Sequence, residues 1–388
     1  MEKVLYLHVG AEMYGSDKVL LQLVTALDKS KFSPIVLLPE HGPLEQELIE
    51  LGVDVHVMAY PIIRRKYFTA IGILKYVKEY IFASFKIMKF IRTHKIKIVH
   101  VNTIGVLEGV FIYAFSNIPV VWHVHEILTT PRFVYKLTSY LIGHYCTKAV
   151  AISKAVKKHL IASNYVDSDH VEVIYDGIDA KLEQTTNGTL RKELKLSDNT
   201  VLIGHVGRVN AWKGQEEFVK AGVGVLQKNP EAHLILCGNA FTGEEWRVKA
   251  LEEMISDFSD VCSRIHYLGY RSDTDNIFES IDVFVSCSTR PEPFSMVTIE
   301  AMSHSVPVIA FDAGGPAEIV EDKVSGLLVP FNSVEELRDA ISDLVENPAK
   351  MIEFGKKAEL RVKKNFSLET FVQKFQTLYS DVLKCEVK

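Results

Sequence analysis

Short runs rich in β-branched residues alternate along this chain with longer stretches whose apolar positions recur every three or four residues. In the first half the short runs are KVLYLHV (3–9), SPIVLLP (33–39), VDVHVMA (53–59), IKIVHVN (96–102), PVVWHV (119–124), KAVAIS (148–153) and VEVIY (171–175). Helical patterns fall between most of them, at 17–29, 43–51, 69–93, 105–115 and 131–146. Such alternation predicts βαβ units and a parallel sheet. The rhythm stops at YDGIDAKLEQTTNGTLRKELKLSDNT (175–200), which is polar and weakly periodic and reads as a linker. A second series follows: VLIGHVGRV (201–209), HLILCGN (233–239), RIHYLGY (264–270), DVFVSCS (282–288), VPVIAF (306–311) and GLLVP (326–330), before a closing helical pattern at 367–384.

The fold class is therefore α/β, with two doubly wound domains in tandem: 1–178, a linker at 179–198, and 199–366. The last helix, 367–388, is expected to pack back on the first domain. The 388 residues agree with this, because single cores stop growing near about 250–300 residues. Ligands of doubly wound sheets bind outside the carboxyl ends of the strands, so a cleft between the two domains is expected to hold the site.

Composition narrows the function. With 47% hydrophobic and 24% charged residues the chain reads as a globular protein with a large core. A net charge of −5 argues against a general nucleic-acid binder. Charge is uneven, however: residues 1–180 carry a net +3 and the remainder −8. Five scattered cysteines, Cys146, Cys237, Cys262, Cys287 and Cys385, form no CxxC and predict a reducing compartment. The apolar run at the start is too short for a signal peptide. No stretch of about 18 uncharged apolar residues occurs, so no membrane span is expected.

Residues 61–97 hold ten Lys and Arg against one acid, Glu79, interleaved with Tyr67, Phe68, Tyr76, Tyr80, Phe82, Phe85 and Phe90. A basic, aromatic amphipathic helix fits an anionic membrane surface; it also fits a core helix with a solvated basic face. PRFVYKLTSYLIGHY (131–145) would extend the same surface.

The candidate chemistry lies just after strands. GRVNAWKG (207–214) places Arg208 and Lys213 in a turn flanked by Gly207 and Gly214 and leading into a helix. Two fixed cations there suit a phosphate ester, although the turn by itself reads equally as a solvated loop. In STRPEPFSMVTIEAM (288–302), Pro293 keeps Glu292 out of helical geometry, and Ser295 is a plausible N-cap. Backbone N–H groups around Phe294, Ser295 and Met296 would then be free for a ligand, with Glu300 on the helix flank. DAGGPAEIV (312–320) offers a further glycine turn. VVWHVHEI (120–127) puts His123 and His125 on one strand face; no third metal ligand accompanies them. The D-x-D at Asp273 and Asp275 reads as a helix cap rather than a metal site. GVGVLQ (222–227) lacks the third glycine of a dinucleotide fingerprint, and no G-x-S-x-G occurs.

Taken in order, YGSDKVL (14–20), WHVHE (122–126), AISKAVKK (151–158), VIYDGID (173–179), Arg208 and Lys213 in GRVNAWKG, the E-x7-E of Glu292 and Glu300, and GGPAEIV (314–320) resemble glycosyltransferase family 4 over nearly the whole chain. The resemblance implies the GT-B fold, two Rossmann-like domains, and retaining transfer of a hexosyl unit from a nucleotide-diphosphate sugar. It implies that Arg208 and Lys213 neutralise the leaving diphosphate. Glu292, with the N–H groups of Phe294 to Met296, would hold the donor sugar, and Glu300 the ribose. Tyr270 and Arg271 would lie against the base, with Gly207 beside the diphosphate. His125, favoured over His123 because it matches the family position, would reach the sugar, and Gly15 would let the backbone approach donor and acceptor. No cofactor or metal is expected, and a UDP-sugar is expected ahead of GDP- or dTDP-sugars. The expected setting is bacterial surface-polysaccharide synthesis by a cytoplasmic, peripherally membrane-bound enzyme acting on a lipid-linked acceptor. Pro293 and Ser295 stand where the family often has glycine, Tyr14 precedes Gly15 where a glycine pair is common, and Asp176 replaces a frequent asparagine. An epimerase or phosphorylase on the same scaffold, or a non-catalytic nucleotide-sugar binder, are the competing readings; the first lacks the Arg/Lys plus E-x7-E set and the second needs a pyridoxal lysine.

Overall fold

The computed structural model describes residues 1–13, 15–179 and 188–384. Tyr14, the first half of the expected linker and Cys385 lie outside the described residues. The chain forms two compact units, Met1–Gly177 with Leu368–Lys388, and Ile178–Ser367.

The first unit holds seven strands: β1 (Glu2–Leu7), β2 (Phe32–Leu38), β3 (Asp54–Val57), β4 (Ile98–Asn102), β5 (Val120–Val124), β6 (Lys148–Ala151) and β7 (Val171–Val173). They lie in the order β3-β2-β1-β4-β5-β6-β7, and every pairing is parallel. The second unit holds β8 (Val201–Val206), β9 (Ala232–Cys237), β10 (Ile265–Tyr267), β11 (Val283–Ser286), β12 (Val308–Phe311) and β13 (Gly326–Val329). Their order is β10-β9-β8-β11-β12-β13, again all parallel. Val4 to Leu7 and Val308 to Phe311 are buried along their whole length. Strands covered by helices on both faces read as unbroken apolar runs, which is why they stood out in the sequence.

In each sheet the winding reverses between two neighbouring strands: β1 and β4 in the first unit, β8 and β11 in the second. The connections leaving such a pair run to opposite faces and open a crevice at the strand ends. His8 follows β1, Asn102 ends β4, and His125 follows β5. The Arg208–Lys213 turn follows β8 and Glu292 follows β11.

The helix Leu368–Lys384 is part of the first unit. Its Tyr379 hydroxyl lies 3.0 Å from that of Tyr6 and 2.8 Å from His100 Nδ1. The described second half of the expected linker is folded onto the second unit, not free. Arg191 pairs with Asp282 at 2.7 Å, and Thr189 N–H donates to Asn276 at 2.6 Å. Its polar composition therefore reflects ion pairing at a surface.

The basic segment forms the helix Ala70–His94, capped by Thr69, whose hydroxyl accepts from Gly72 N–H at 3.0 Å, and ended by Lys95 in a left-handed conformation. Ala83, Ser84, Ile87, Met88 and Ile91 form its buried stripe. Its first turns carry a second apolar set, Ile71, Leu74, Phe82 and Phe85, each more than half exposed. Phe133, also exposed, extends the patch through an edge contact with Phe68, ring centroids 5.5 Å apart. A contiguous exposed apolar surface of this kind marks an interaction face. Among the described residues no helix is long and apolar enough to cross a membrane.

Candidate active site

The second unit joins two of the predicted residues directly. Lys213 Nζ lies 2.8 Å from Glu292 Oε2. The turn carrying Lys213 is shaped by Asn210, whose side-chain oxygen accepts from the N–H groups of Trp212 (3.0 Å) and Lys213 (2.9 Å). Gln215 Nε2 donates to Arg208 O at 3.0 Å. Gly214 has φ +84, and a Cβ there would strike the carbonyl of Cys287, so only glycine lets the turn rest on the strand end. Gly207 has room for a Cβ and is held by its neighbours instead. The Arg208 guanidinium stacks on Phe241, 3.7 Å from the ring centroid.

Glu292 is 8% exposed, and its other oxygen accepts from the Ser288 hydroxyl. A carboxylate this buried requires both partners. The loop is pinned from behind by the glycine pair: Gly315 N–H donates to Glu292 O at 2.8 Å, and Gly314, at φ +63, passes so close that a Cβ would meet the Glu292 backbone. The GGPAEIV segment thus supports the glutamate loop through close backbone packing. Ser295 does occupy the N-cap of the helix Met296–Ser303, but its side chain makes no capping bond; its hydroxyl accepts from Thr298 Oγ1 at 2.8 Å. The Phe294 ring is buried against Phe366, 5.9 Å between centroids. Met296 opens the helix, so its N–H is among the donors a first turn leaves without an intrahelical partner. Glu300 is half-buried on the same helix.

Arg271 makes no hydrogen bond or ion pair to Lys213 or Glu292 among the described residues. Tyr270 is 74% exposed. Arg271 pairs with Glu193 at 2.8 Å and with Asp273 at 2.5 Å, which holds the Asp273 carboxyl well below the usual carboxylate range. Asp273 does sit at the N-cap of the helix Thr274–Ser280, yet its carboxylate is turned to Arg271 rather than to the helix N–H groups.

His205 was missed by sequence reasoning. It lies on β8 three residues before Arg208, buried and stacked on Phe218, with Nδ1 2.9 Å from Val285 O and Nε2 unpartnered among the described residues. Burial pushes its pKa down to about 4. A polar residue inside an apolar strand run was the only available signal.

The first unit gathers a polar cluster at its own switch point. His8 Nε2 lies 2.6 Å from Asp17 Oδ1, on the helix Gly15–Ala26. Asn102 Nδ2 lies 2.9 Å from His8 Nδ1, and Asn102 Oδ1 lies 2.9 Å from His125 Nε2. His123 Nδ1 is 3.2 Å from the same His125 nitrogen. Burial lowers the His125 pKa to about 3, so the ring is neutral. Gly15 begins the helix with open space where a Cβ would point. The H-x-H pair has an acidic neighbour that spacing concealed: donor atoms of His123, His125 and Asp176 lie within 4.8 Å of one another. Burial pushes Asp176 up to about 8.

The family profile described as Glycosyltransferase Family 4 matches residues 13–182, and that described as Glycosyl transferases group 1 matches residues 187–361. The chain belongs to glycosyltransferase family 4. Its fold is GT-B. This family 4 glycosyltransferase is similar to the UDP-Gal:alpha-D-GlcNAc-diphosphoundecaprenol alpha-1,3-galactosyltransferase of Escherichia coli, 24% identical over 98% of this chain and 97% of that one. It is 25% identical to the capsular polysaccharide biosynthesis glycosyltransferase CapM of Staphylococcus aureus, over 63% of this chain and 64% of that one. Among solved structures, Anabaena HepE in complex with UDP-glucose matches with a TM-score of 0.83 and 26% identity, covering 98% of this chain and 100% of that one.

Proposed function

We propose that this glycosyltransferase moves a hexosyl unit from a UDP-sugar to a lipid-linked glycan acceptor, with retention of configuration and without a metal, in bacterial surface-polysaccharide synthesis. The observation that carries the reading is the Lys213–Glu292 pair at the β8/β11 switch point, on the turn that also carries Arg208. The UDP-glucose complex of HepE and the galactosyltransferase activity of the E. coli relative support it.

The parts have distinct tasks. As the bond to diphosphate breaks, charge builds on the phosphate; Arg208 and Lys213 stabilise it, with help from the first-turn N–H groups at Met296. Two cations and a helix N-terminus take the place of a divalent ion. Glu292, braced by Ser288 and the glycine pair, accepts from hydroxyls of the donor sugar. Glu300 binds the ribose, while Tyr270 and Arg271 border the base. His125 contacts the donor sugar. The leaving phosphate assists removal of the acceptor proton, so no protein nucleophile is needed.

A thermal-shift panel of UDP-, GDP- and dTDP-sugars with 1 mM EDTA (about that concentration) tests donor choice and metal independence together. UDP-sugar at 100 times its Kd adds about 2.7 kcal/mol. A shift with GDP- or dTDP-sugar alone, or loss of turnover in EDTA restored by Mg²⁺, would overturn the corresponding part.

The apolar face of Ala70–His94 with the exposed Arg64, Arg65 and Lys66 suits a peripheral site on the cytoplasmic leaflet. Each cation near an anionic surface contributes about 1 kcal/mol. Replacing all three by Ala is expected to weaken binding to phosphatidylserine vesicles by about 10- to 100-fold, and Leu74→Ser with Phe82→Ser to weaken it further. Unchanged partitioning of both variants removes the membrane claim.

A further inference from the structure

The chain Asp17–His8–Asn102–His125 is buried except at its last member. His8, Asn102 and Asp17 are each at most 4% exposed, whereas His125 is half-buried. Proton positions follow from its first link. A carboxylate oxygen and an imidazole nitrogen 2.6 Å apart require a proton between them, so His8 carries one on Nε2. Its Nδ1 faces the Asn102 side-chain amide. An amide nitrogen can only donate, and Asn102 Nδ2 stands 2.9 Å away. In the same placement Asn102 Oδ1, which can only accept, faces His125 Nε2 at 2.9 Å. His123 Nδ1, at 3.2 Å, is a second acceptor for the same proton.

We infer that Asn102 is a positioning residue: anchored through His8 to Asp17, it holds the His125 proton on Nε2 and leaves Nδ1 as a bare acceptor. His125 Nδ1 makes no hydrogen bond among the described residues; the contacts of this residue run through its backbone N–H and Nε2. A neutral imidazole in this tautomer accepts from a hydroxyl of the sugar and cannot donate to it through the open nitrogen. The nitrogen that bears the proton is set by what the other one faces. The catalytic consequence rests on His125 facing the donor sugar, as proposed above; the tautomer itself does not.

Long-range ¹H–¹⁵N correlation spectra of the labelled full-length protein at neutral pH read the tautomers directly. His8 and His125 are both expected with the proton on Nε2. In Asn102→Leu, His125 is expected to populate both tautomers, and kcat to fall by about 10- to 100-fold with a smaller change in donor KM, as for other groups that orient a functional histidine. In Asn102→Asp, a carboxylate accepts from both neighbours: His125 keeps its tautomer, His8 takes a second proton, and turnover recovers to within several-fold of wild type. A wild-type His125 protonated on Nδ1, with His8 doubly protonated, overturns the inference. So does an Asn102→Leu protein whose His125 tautomer is unchanged. Because Asn102 is buried, the wild-type spectrum decides even if a variant fails to fold. His125→Ala is measured alongside: near wild-type turnover removes the role given to His125 but leaves the tautomer to the spectrum.

Discussion

Lys213→Ala lowers kcat by about 10²–10³ at saturating donor, and Arg208→Ala does so by a similar factor. Fixed cations aimed at developing phosphate charge act where reorganisation is already complete, and each is worth about 3–4 kcal/mol by analogy with single oxyanion donors. Lys213 has a second task. Its ammonium neutralises Glu292, which is 8% exposed and otherwise bonded to Ser288. Removing it leaves a nearly buried carboxylate without its counter-charge, so part of the loss comes from a disturbed Glu292 loop. The two contributions separate in a double-mutant cycle. Glu292→Gln with Lys213→Ala should lose less than the product of the single effects, because the unpaired charge is gone. Arg208, stacked on Phe241, should be additive with Glu292→Gln. Release of the nucleotide diphosphate, followed continuously, measures all five variants. Wild-type turnover in Lys213→Ala would remove the phosphate role, and strict additivity would remove the coupling to Glu292.

Glu108→Gln stabilises the protein at pH 8 by about 3–5 kcal/mol and leaves it nearly unchanged at pH 4.5. Glu108 is fully buried at the start of the helix Glu108–Phe115, and neither carboxylate oxygen has a partner at full hydrogen-bond geometry among the described residues. Burial pushes its pKa up to about 8, opposed only in part by the N–H groups of Glu108 and Leu107. Between the unfolded value of 4.5 and about 8 the folded protein holds a proton that the unfolded chain has released. Stability therefore falls as pH rises through that window, by up to about 1.4 kcal/mol per pH unit. Asp176, raised to about 8, and Glu126, raised to about 7, add slopes of the same sign. His100 and His125, lowered to about 3, act oppositely: kept neutral when folded, they make stability rise with pH up to their unfolded value of 6.5. Above pH 6.5 only the acids contribute, so the decline from 6.5 to 8 is theirs. Denaturant unfolding of wild type and Glu108→Gln at pH 4.5, 6.5 and 8 measures the difference. An equal gap at all three pH values would mean that Glu108 does not change protonation on folding.

Period and punctuation carried most of the fold. All thirteen described strands fall within the short β-branched runs to within one residue, and the predicted helices of the first domain match to within a few residues. Strands buried on both faces and helices with one buried stripe write their environment into local hydrophobic spacing. The turn residues Arg208 and Lys213 and the loop glutamate Glu292 were visible because their types are unusual directly after strands. Ser295 and Asp273 show the limit of that reasoning. Both occupy cap positions, yet each side chain is drawn elsewhere, to Thr298 and to Arg271, by partners that cap propensity does not contain.

The sequence by itself determined two parallel α/β units, the family, and which short segments stand at strand ends. These are local properties, set by residue type and spacing along a few turns of chain. Only the tertiary structure decided which side chains meet: Lys213 with Glu292 across 79 positions, Asn102 between His8 and His125, and Asp176 beside the H-x-H pair. It also decided that the glycine pair at 314–315 braces the glutamate loop and that the basic helix leaves one apolar face uncovered. The order of strands in a parallel sheet, and the crevice where its winding reverses, bring together residues from distant crossovers, and no local pattern encodes which crossover lies beside which.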